Sequence, residues 1–195
     1  MIDFRKIQEE FIKCYSDKSR IYMIENYLRT FDMNARREIP FKLFPRQKDF
    51  LNALKDHRNV VTTKPRQAGI TTTTAAFLAC TLALASSESP ETVLVIGNKL
   101  DLAQQMVTKI RDFLYQLPRW FFGEEFFSPD PTAEANKKEI FKVRNQANLV
   151  LFNNSKVVAK SSGPNAARGV SSVSYLVFDE AAFIEKGDEV YTQAV

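Results

Sequence analysis

The sequence predicts an α/β fold, with a parallel sheet flanked by helices. Three observations predict it: apolar β-branched stretches alternate with stretches of helical periodicity, a basic loop joins a predicted strand at 60–63 to a helix from residue 71, and a late apolar run ends in two acids, Asp179 and Glu180. Strands that alternate with helices form parallel sheets, because each new strand in the same direction needs a crossover.

Composition limits the possible classes of protein. With 195 residues, 45% hydrophobic and 26% charged, the chain can bury a substantial core and is not of the disordered type. A net charge of +4 suits a polyphosphate or nucleic-acid partner, and equally a slightly basic solvated surface. Cys14 and Cys80 have neither disulfide nor metal-site spacing, which favours reduced thiols. No apolar run has the length of a signal peptide core or a membrane span, so no membrane association is expected.

Residues 1–38 are predicted to be a helical region, and 39–195 the main domain. Apolar residues recur at helical spacing over 7–31, with Ser19 as a possible cap between two helices. A helix is then predicted from about residue 46 to 56. Gln47 near its start could offer an amide donor and acceptor to the edge of adenine, or could be a surface glutamine. His57 receives no role.

After the basic loop, predicted helices and strands continue to alternate along the chain. Residues 71–84 predict an apolar helix, and 92–96 predict a strand buried on both faces. Asp101 can cap the next helix. The inward stripe of this helix is expected to comprise Leu102, Met106, Ile110, Phe113 and Leu117. The order strand, helix, strand, helix favours a right-handed parallel sheet.

The aromatic segment 118–138 interrupts this alternation of strands and helices. Its rings could stack on bases, but anchoring a long loop to the core is the favoured interpretation. Short strands are then predicted at 139–143, 148–152 and 156–160, forming an antiparallel insertion. A flexible loop at 161–169 follows, and the apolar strand after it would carry Asp179 and Glu180 to the edge of the sheet where ligands bind.

The loop before the predicted helix 71–84 has most of the parts of a phosphate-binding loop. Against the pattern G-x-x-x-x-G-K-[ST], it keeps Gly69 and Thr71, but has Lys64 at the first glycine and Ile70 at the lysine. Lys64 or Arg66 must then supply the cation for the phosphates of ATP. The residues expected to contact ATP are Gln47, Lys64, Pro65, Arg66, Gln67, Ala68, Gly69, Ile70, Thr71 and Thr72.

The acids complete the expected chemistry. Asp179 would hold the Mg²⁺ shell together with the Thr71 hydroxyl. Glu180 would point the other way if the strand geometry persists, and would polarise the attacking water. A phosphate loop alone is common, and so is an acidic strand end alone. Both together within one α/β pattern predict a nucleotide hydrolase.

Four segments resemble the large terminase subunits of tailed bacteriophages. Residues 64–71 look like their deviant Walker A motif, 176–184 like their Walker B motif, 161–169 like their serine-rich loop ending in Arg-Gly, and 44–47 like their adenine-binding motif. The resemblance covers roughly residues 40–190. It implies a P-loop NTPase fold of the ASCE type, which has an additional strand and a catalytic glutamate.

The resemblance also implies a function and residue roles. It implies an ATPase motor that packages double-stranded DNA into a procapsid in the cytoplasm of the infected bacterial host. The motor would act as a homo-oligomeric ring, with the portal protein and small terminase subunit as partners. By the resemblance Gln47 contacts adenine, Lys64 and Arg66 serve the phosphates, Thr71 and Asp179 hold Mg²⁺, Glu180 activates water, and Arg168 is an arginine finger in cis or in trans.

The family pattern continues beyond the acids with a coupling motif on a further strand and a nuclease domain. Neither follows in this chain, so an N-terminal ATPase portion with an incomplete sheet, weak ATP binding and weak turnover is expected. A helicase or restriction translocase is the first alternative, although Ile70 and the pair Ala181-Ala182 argue against it. The second alternative is a non-enzymatic piece that completes a site only with a second polypeptide.

Overall fold

The computed structural model of the chain describes residues 4–32, 35–65, 67–163, 166, 168–184, 189 and 191–192. The chain divides into two compact units, one formed by Met1–Leu84 with Asp112–Lys138 and the other by Ala85–Arg111 with Glu139–Val195. Among the described residues, none of the helices is both long enough and apolar enough to cross a membrane.

The first unit is mainly helical. Its elements are α1 (Phe4–Ser16), α2 (Ile21–Tyr27), the strands β1 (Arg29–Asp32) and β2 (Arg37–Pro40), α3 (Pro45–Asp56) and α4 (Ile70–Leu84). The strands pair as an antiparallel hairpin. The predicted extension of the second helix to Phe31 is wrong, because residues 29–32 hydrogen-bond to β2 instead of continuing the helix. The predicted domain boundary at residues 38 and 39 falls inside β2.

Helix α4 is apolar around its whole circumference and is buried from Ala75 to Leu84. It begins one residue before the predicted start and ends where predicted. A helix with this composition belongs in a core rather than on a surface. The buried guanidinium of Arg20 ties α4 to the preceding region, since its Nε donates to Thr81 Oγ1 at 3.3 Å and one Nη to the Asp17 carbonyl at 3.1 Å.

The aromatic segment belongs to the first unit and folds into short 3₁₀ turns, Arg119–Phe122 and Glu124–Phe126. Phe121, Phe122 and Phe126 are buried. The Phe121 ring meets the Tyr27 ring edge-on, with 5.2 Å between the ring centroids. Rings in this geometry stabilise packing beyond the area they bury. The interpretation of this segment as a loop anchored to the core is therefore confirmed.

The predicted strand at 60–63 is wrong. Residues 57–65 form neither helix nor strand in the described structure, and the Val61 side chain is 98% exposed. Val60, Val61, Thr62 and Thr63 favour extended backbone by their β-branched side chains. A strand also needs a neighbour for its hydrogen bonds, and strand pairing is absent here among the described residues.

The second unit contains a five-stranded sheet. Its strands are β3 (Thr92–Gly97), β4 (Phe141–Arg144), β5 (Asn148–Leu151), β6 (Lys156–Ser161) and β7 (Tyr175–Asp179), in the spatial order β4-β5-β6-β3-β7. Helix α5 (Leu100–Gln116) follows β3 and runs into the first unit at Asp112. All residues of β3 are buried, as predicted.

The sheet is mixed rather than parallel. Strand β3 pairs in parallel with β6 and β7, whereas β4 with β5 and β5 with β6 pair antiparallel. The prediction of a separate antiparallel insertion is wrong for β6, which is an interior strand of the main sheet. A tight turn at residues 152–155 dictates that β5 and β6 run antiparallel, but nothing in that local sequence specifies the partner on the other edge of β6.

The connection from β6 to β7 crosses one face of the sheet. It starts beside the end of β3, where the Ser162 N–H donates to the Gly97 carbonyl at 2.8 Å, and ends beside its beginning, where the Ser174 N–H donates to the Thr92 carbonyl at 2.9 Å. Its apolar residues cover the sheet. The resulting cluster contains Leu94, Ile96, Ala166, Val158, Val170, Val173, Leu176, Phe178 and Ile184.

A carboxylate joins α1 to α2 in the first unit. Lys13 donates to one oxygen of Glu10 at 2.7 Å, and the Tyr22 and Tyr27 hydroxyls donate to the other at 2.7 and 2.8 Å. These bonds, with that of Lys13 the largest contribution, lower the pKa of Glu10 from 4.5 to about 2. A carboxyl group with a lowered pKa stabilises the fold in its ionised form, and this contribution disappears as the pH falls through the lowered value.

We therefore expect Glu10→Gln to reduce the free energy of unfolding at neutral pH. The difference from the parent chain should be constant above about pH 5 and should shrink as the pH falls from 4.5 towards 2. Urea denaturation at a series of pH values measures this difference. Glu9→Gln on the same helix is the control for loss of a carboxylate. A difference between parent and Glu10→Gln that stays constant down to pH 3 would contradict the assignment.

Candidate functional site

The start of α4 is shaped to bind an anion. Gly69 directly precedes the helix with φ +73°, Gln67 has φ +64°, and the Gly69 carbonyl accepts the first helical hydrogen bond from the Thr73 N–H at 2.9 Å. The N–H groups of a first helical turn have no acceptor within the helix and carry partial positive charge. A loop with these positive φ angles, followed by a helix N-terminus, is therefore suited to a phosphate group.

The cation at the start of the loop reaches the helix. Lys64 Nζ donates to Thr71 Oγ1 across a distance of 2.6 Å, and the Lys64 side chain is exposed. Ile70, at the position where a standard loop has its lysine, is half-buried and begins the helix. The ammonium group of Lys64, at the start of the loop, thus lies beside the first turn of α4. Arg66, the other predicted cation, lies outside the described residues.

The remaining loop residues differ in exposure. In the loop, Pro65 and Gln67 are exposed and Ala68 and Gly69 are half-buried; Thr71 and Thr72, in the first turn of α4, are also half-buried. An approaching ligand can therefore reach the outer part of the loop, while its inner part is joined to α3 through the Ala68 carbonyl, which accepts a hydrogen bond from Gln47.

A cavity of about 470 Å³ lies between the start of α3 and this loop. Its lining combines apolar and aromatic side chains with two basic groups. The residues that line it are Phe44, Pro45, Arg46, Gln47, Phe50, Thr62, Thr63, Lys64, Pro65, Ala68 and Ile70. The Phe44 side chain is 70% exposed. Apolar and aromatic walls with some polar groups are typical of sites for small organic ligands, and the lysine adds a group for phosphate.

Gln47 lines this cavity, but its amide is engaged with the main chain. It is only 5% exposed; its Oε1 accepts the Phe44 N–H at 3.0 Å and its Nε2 donates to the Ala68 carbonyl at 3.1 Å. Sequence reasoning missed these contacts and missed Phe50 as a lining residue, whereas Phe44 belongs to the segment that resembles the adenine-binding motif. One signal was present: a glutamine two residues after a helix-initial proline is at the position from which a side chain caps the helix.

The predicted acids lie in the second unit, at the end of the parallel strands. The register pairs Gly97 of β3 with Ser161 of β6 and with Asp179 of β7, so the three strands end together. Asp179 is half-buried and Glu180 is exposed. The carboxyl edge of parallel strands is where ligands bind in open α/β sheets.

Glu180 does not continue the strand. Its backbone is left-handed, with φ +58° and ψ +45°, and its carbonyl accepts the Phe183 N–H in the 3₁₀ turn Ala181–Phe183. The alternation of strand geometry therefore does not set the direction of the Glu180 side chain. A left-handed conformation costs a residue with a side chain about 1–2 kcal/mol, and such residues concentrate at functional sites.

The serine-rich loop contributes one exposed cation. Ser162 Oγ donates to the Asn98 carbonyl at 3.4 Å, and Ala166 is buried against Leu94 and Ile96. Arg168 is exposed and is followed by Gly169 with φ +81°. Residues 164, 165 and 167 of this predicted loop lie outside the described residues.

The donor groups fit magnesium chemically. Mg²⁺ is usually bound by one or two protein oxygens together with phosphate oxygens and water, so a nucleotide site needs no dense cluster of carboxylates. The described part of the chain contains no group of three or more His, Cys, Asp or Glu side chains arranged for a metal ion. The Thr71 hydroxyl of the first unit and the Asp179 carboxylate of the second unit are each a hard oxygen donor.

A comparison with protein families gave a match. The model described as terminase large subunit, T4likevirus-type, N-terminal, matches residues 61–194, which is more than two thirds of the chain. The matched range includes the loop at 64–71 and the acids at 179 and 180. A comparison with curated proteins gave no match.

Proposed function

Since the chain belongs to the T4-like-virus type of terminase large subunits and matches their N-terminal part, we propose that it binds and hydrolyses ATP to drive viral DNA packaging. Membership of this family places the chain in viral DNA packaging. The finer proposal is a motor that moves double-stranded DNA into a procapsid in the cytoplasm of the infected bacterial host. It would act as a ring of identical subunits, with the portal protein and small terminase subunit as partners.

The contact between Lys64 and Thr71 is the observation that supports the proposal most. A phosphate loop without a lysine before its Ser/Thr needs another cation at the helix N-terminus, and Lys64 Nζ lies 2.6 Å from the Thr71 hydroxyl. The ammonium group and the N–H groups of the first turn of α4 together would neutralise the β and γ phosphates of ATP. Arg66 is proposed to assist Lys64 in this role.

The proposed ligands of magnesium are two oxygen donors of this chain, the Thr71 hydroxyl and the Asp179 carboxylate. When bound, Mg²⁺ would neutralise phosphate charge and orient the terminal phosphate. We propose that Thr71 supplies a hydroxyl ligand and that Asp179 supports the ion. In the described structure the Thr71 hydroxyl accepts a hydrogen bond from Lys64, which places the proposed hydroxyl ligand and the proposed phosphate cation side by side.

Two further residues are assigned to the hydrolysis step. Glu180 is proposed to accept the proton of the attacking water, because it is an exposed carboxylate one residue beyond the strand end. Arg168 is proposed to stabilise the negative charge that spreads over the transferring phosphate. Its exposed side chain suits a role towards a neighbouring subunit as well as within its own.

Replacement of Lys64 and of Ile70 tests whether the cation for the phosphates comes from the start of the loop. Lys64→Ala should lower the affinity for Mg²⁺·ATP roughly 10- to 100-fold, which corresponds to the loss of a hydrogen bond to a charged group. Ile70→Ala should lower it by less than about threefold, since only apolar contact is lost. Titration of the 195-residue chain with a fluorescent ATP analogue, followed by competition with ATP, measures both.

Lys55→Ala provides the matched control, because it removes an equal charge from an exposed position at the end of α3, where Lys55 pairs with Asp56. It should leave ATP affinity unchanged. A larger loss of ATP affinity for Ile70→Ala than for Lys64→Ala would contradict the proposal that the cation comes from the start of the loop.

Glu180→Gln tests the proposed general base. The variant should retain ATP affinity, while its ATP turnover should fall about a hundredfold or more, because an amide cannot accept the proton of water. A steady-state phosphate-release assay measures turnover, and the same fluorescent competition measures binding. Glu88→Gln makes the same chemical change at an exposed turn and should change neither quantity. Equal turnover in the parent chain and Glu180→Gln would remove Glu180 from the mechanism.

A further inference from the structure

The positive charge of the chain is concentrated in residues 140–178. This stretch contains no acidic residue and five basic ones, which are Lys142, Arg144, Lys156, Lys160 and Arg168. Of the 27 Lys and Arg residues, 22 therefore lie elsewhere, together with all 23 Asp and Glu residues. The net charge of +4 thus arises entirely within 140–178. A region of a single sign of charge suits a polyanionic partner.

Strand β6 places two of these cations on one face of the sheet. Lys156 and Lys160 alternate with Val158, and side chains two residues apart in a strand lie on the same face. Val157 and Ala159, between them, are buried on the opposite face. The two lysines are separated by about 13 Å along the strand. Both are half-buried, as expected when a lysine stem covers apolar surface and its ammonium group stays in water.

The neighbouring antiparallel strands continue this face. The register pairs Val150 of β5 with Lys156, Asn148 of β5 with Val158, and Val143 of β4 with Val150. Val143 is 44% exposed, and the two residues of β5 are half-buried. Residues paired across strands lie on the same side of a sheet. We call this partly exposed surface the β4–β6 face; it comprises Val143, Asn148, Val150, Lys156, Val158 and Lys160.

The cations of the stretch differ in their partners within the chain. Arg144 pairs with Glu139 at 3.4 Å, and Lys142 Nζ donates to Asn154 Oδ1 at 2.7 Å. Neither Lys156 nor Lys160 has a carboxylate within ion-pair distance among the described residues. The two charges on β6 are therefore not neutralised by that part of the chain.

We propose that the β4–β6 face binds the phosphate backbone of duplex DNA. Proteins hold a duplex through Lys and Arg contacts to phosphates, together with amide side chains such as that of Asn148. Proteins that bind single strands stack bases on aromatic rings, and the β4–β6 face contains no aromatic residue. The choice of duplex DNA rests on the proposed function, in which DNA is the molecule that is moved.

The double variant Lys156→Gln/Lys160→Gln tests this surface, because it removes both charges and keeps long polar side chains. Its affinity for a short fluorescent duplex should fall about tenfold, and by the same factor for two duplexes of unrelated sequence. The slope of log affinity against log salt concentration should become shallower by about 0.9 for each lost phosphate contact. Fluorescence anisotropy on the 195-residue chain at several salt concentrations measures both quantities.

Two control variants separate the position of the charge from its amount. Lys6→Gln/Lys18→Gln removes two charges from exposed positions in and after α1, and should keep the affinity and salt slope of the parent chain. Lys156→Arg/Lys160→Arg keeps the charge on β6 and should also bind like the parent. Thermal unfolding of each variant checks that it is folded. An equal loss in Lys6→Gln/Lys18→Gln would show that net charge alone governs binding, and would overturn the inference.

Two further outcomes would overturn the inference. One is equal duplex affinity in the parent and in Lys156→Gln/Lys160→Gln, or no duplex binding by the parent. The other is a larger loss for single-stranded DNA or for polyglutamate than for the duplex, which would assign the face to another polyanion. All variants should bind a fluorescent ATP analogue like the parent. Failure of the proposed ATP site would instead appear as a parent chain that binds no ATP, whatever the DNA results.

Discussion

The N-terminus of α4 is the constraint on which the candidate site depends. The helix is buried from Ala75 to Leu84, so its axis and its first turn are fixed by packing. A phosphate group bound there meets the same first-turn N–H groups whatever the loop sequence. The loop must then add a cation and must hold its own backbone clear of the ligand. Lys64 and Gly69 meet these two needs by different physical means.

Local signals in the sequence were sufficient for much of the fold. Helices α3, α4 and α5 and strand β3 were predicted to within a few residues, because periodicity and apolar composition report directly on burial. The connection of the strands was predicted less well. The sequence of β6 specifies a strand with alternating burial, but its parallel pairing with β3 depends on residues more than 60 positions away.

The errors within the candidate site have related causes. Residues 60–63 have β-branched side chains, but strand formation needs a hydrogen-bonding neighbour that local sequence does not specify. Glu180 adopts a left-handed backbone with neither glycine nor asparagine to indicate it. The main-chain partner of the Gln47 Nε2 lies in a loop 21 residues later, whose path the local sequence does not specify. Residue types indicated the chemistry, whereas tertiary structure decided the partners.

The loop must supply a cation and must hold its backbone clear of the ligand. These two requirements also explain which of its positions tolerate another residue type. A cation acts through charge at the end of a long flexible side chain, so a lysine can start from either end of the loop and still reach the first turn of the helix. The position of Gly69 is fixed by the backbone itself, since both its φ of +73° and its approach to Gln47 exclude a Cβ. Displacement of the lysine to residue 64, with the glycine kept at residue 69, is thus consistent with the same loop physics. The glycine lies against the Gln47 side chain, whereas the lysine contacts the first turn of the helix from the start of the loop.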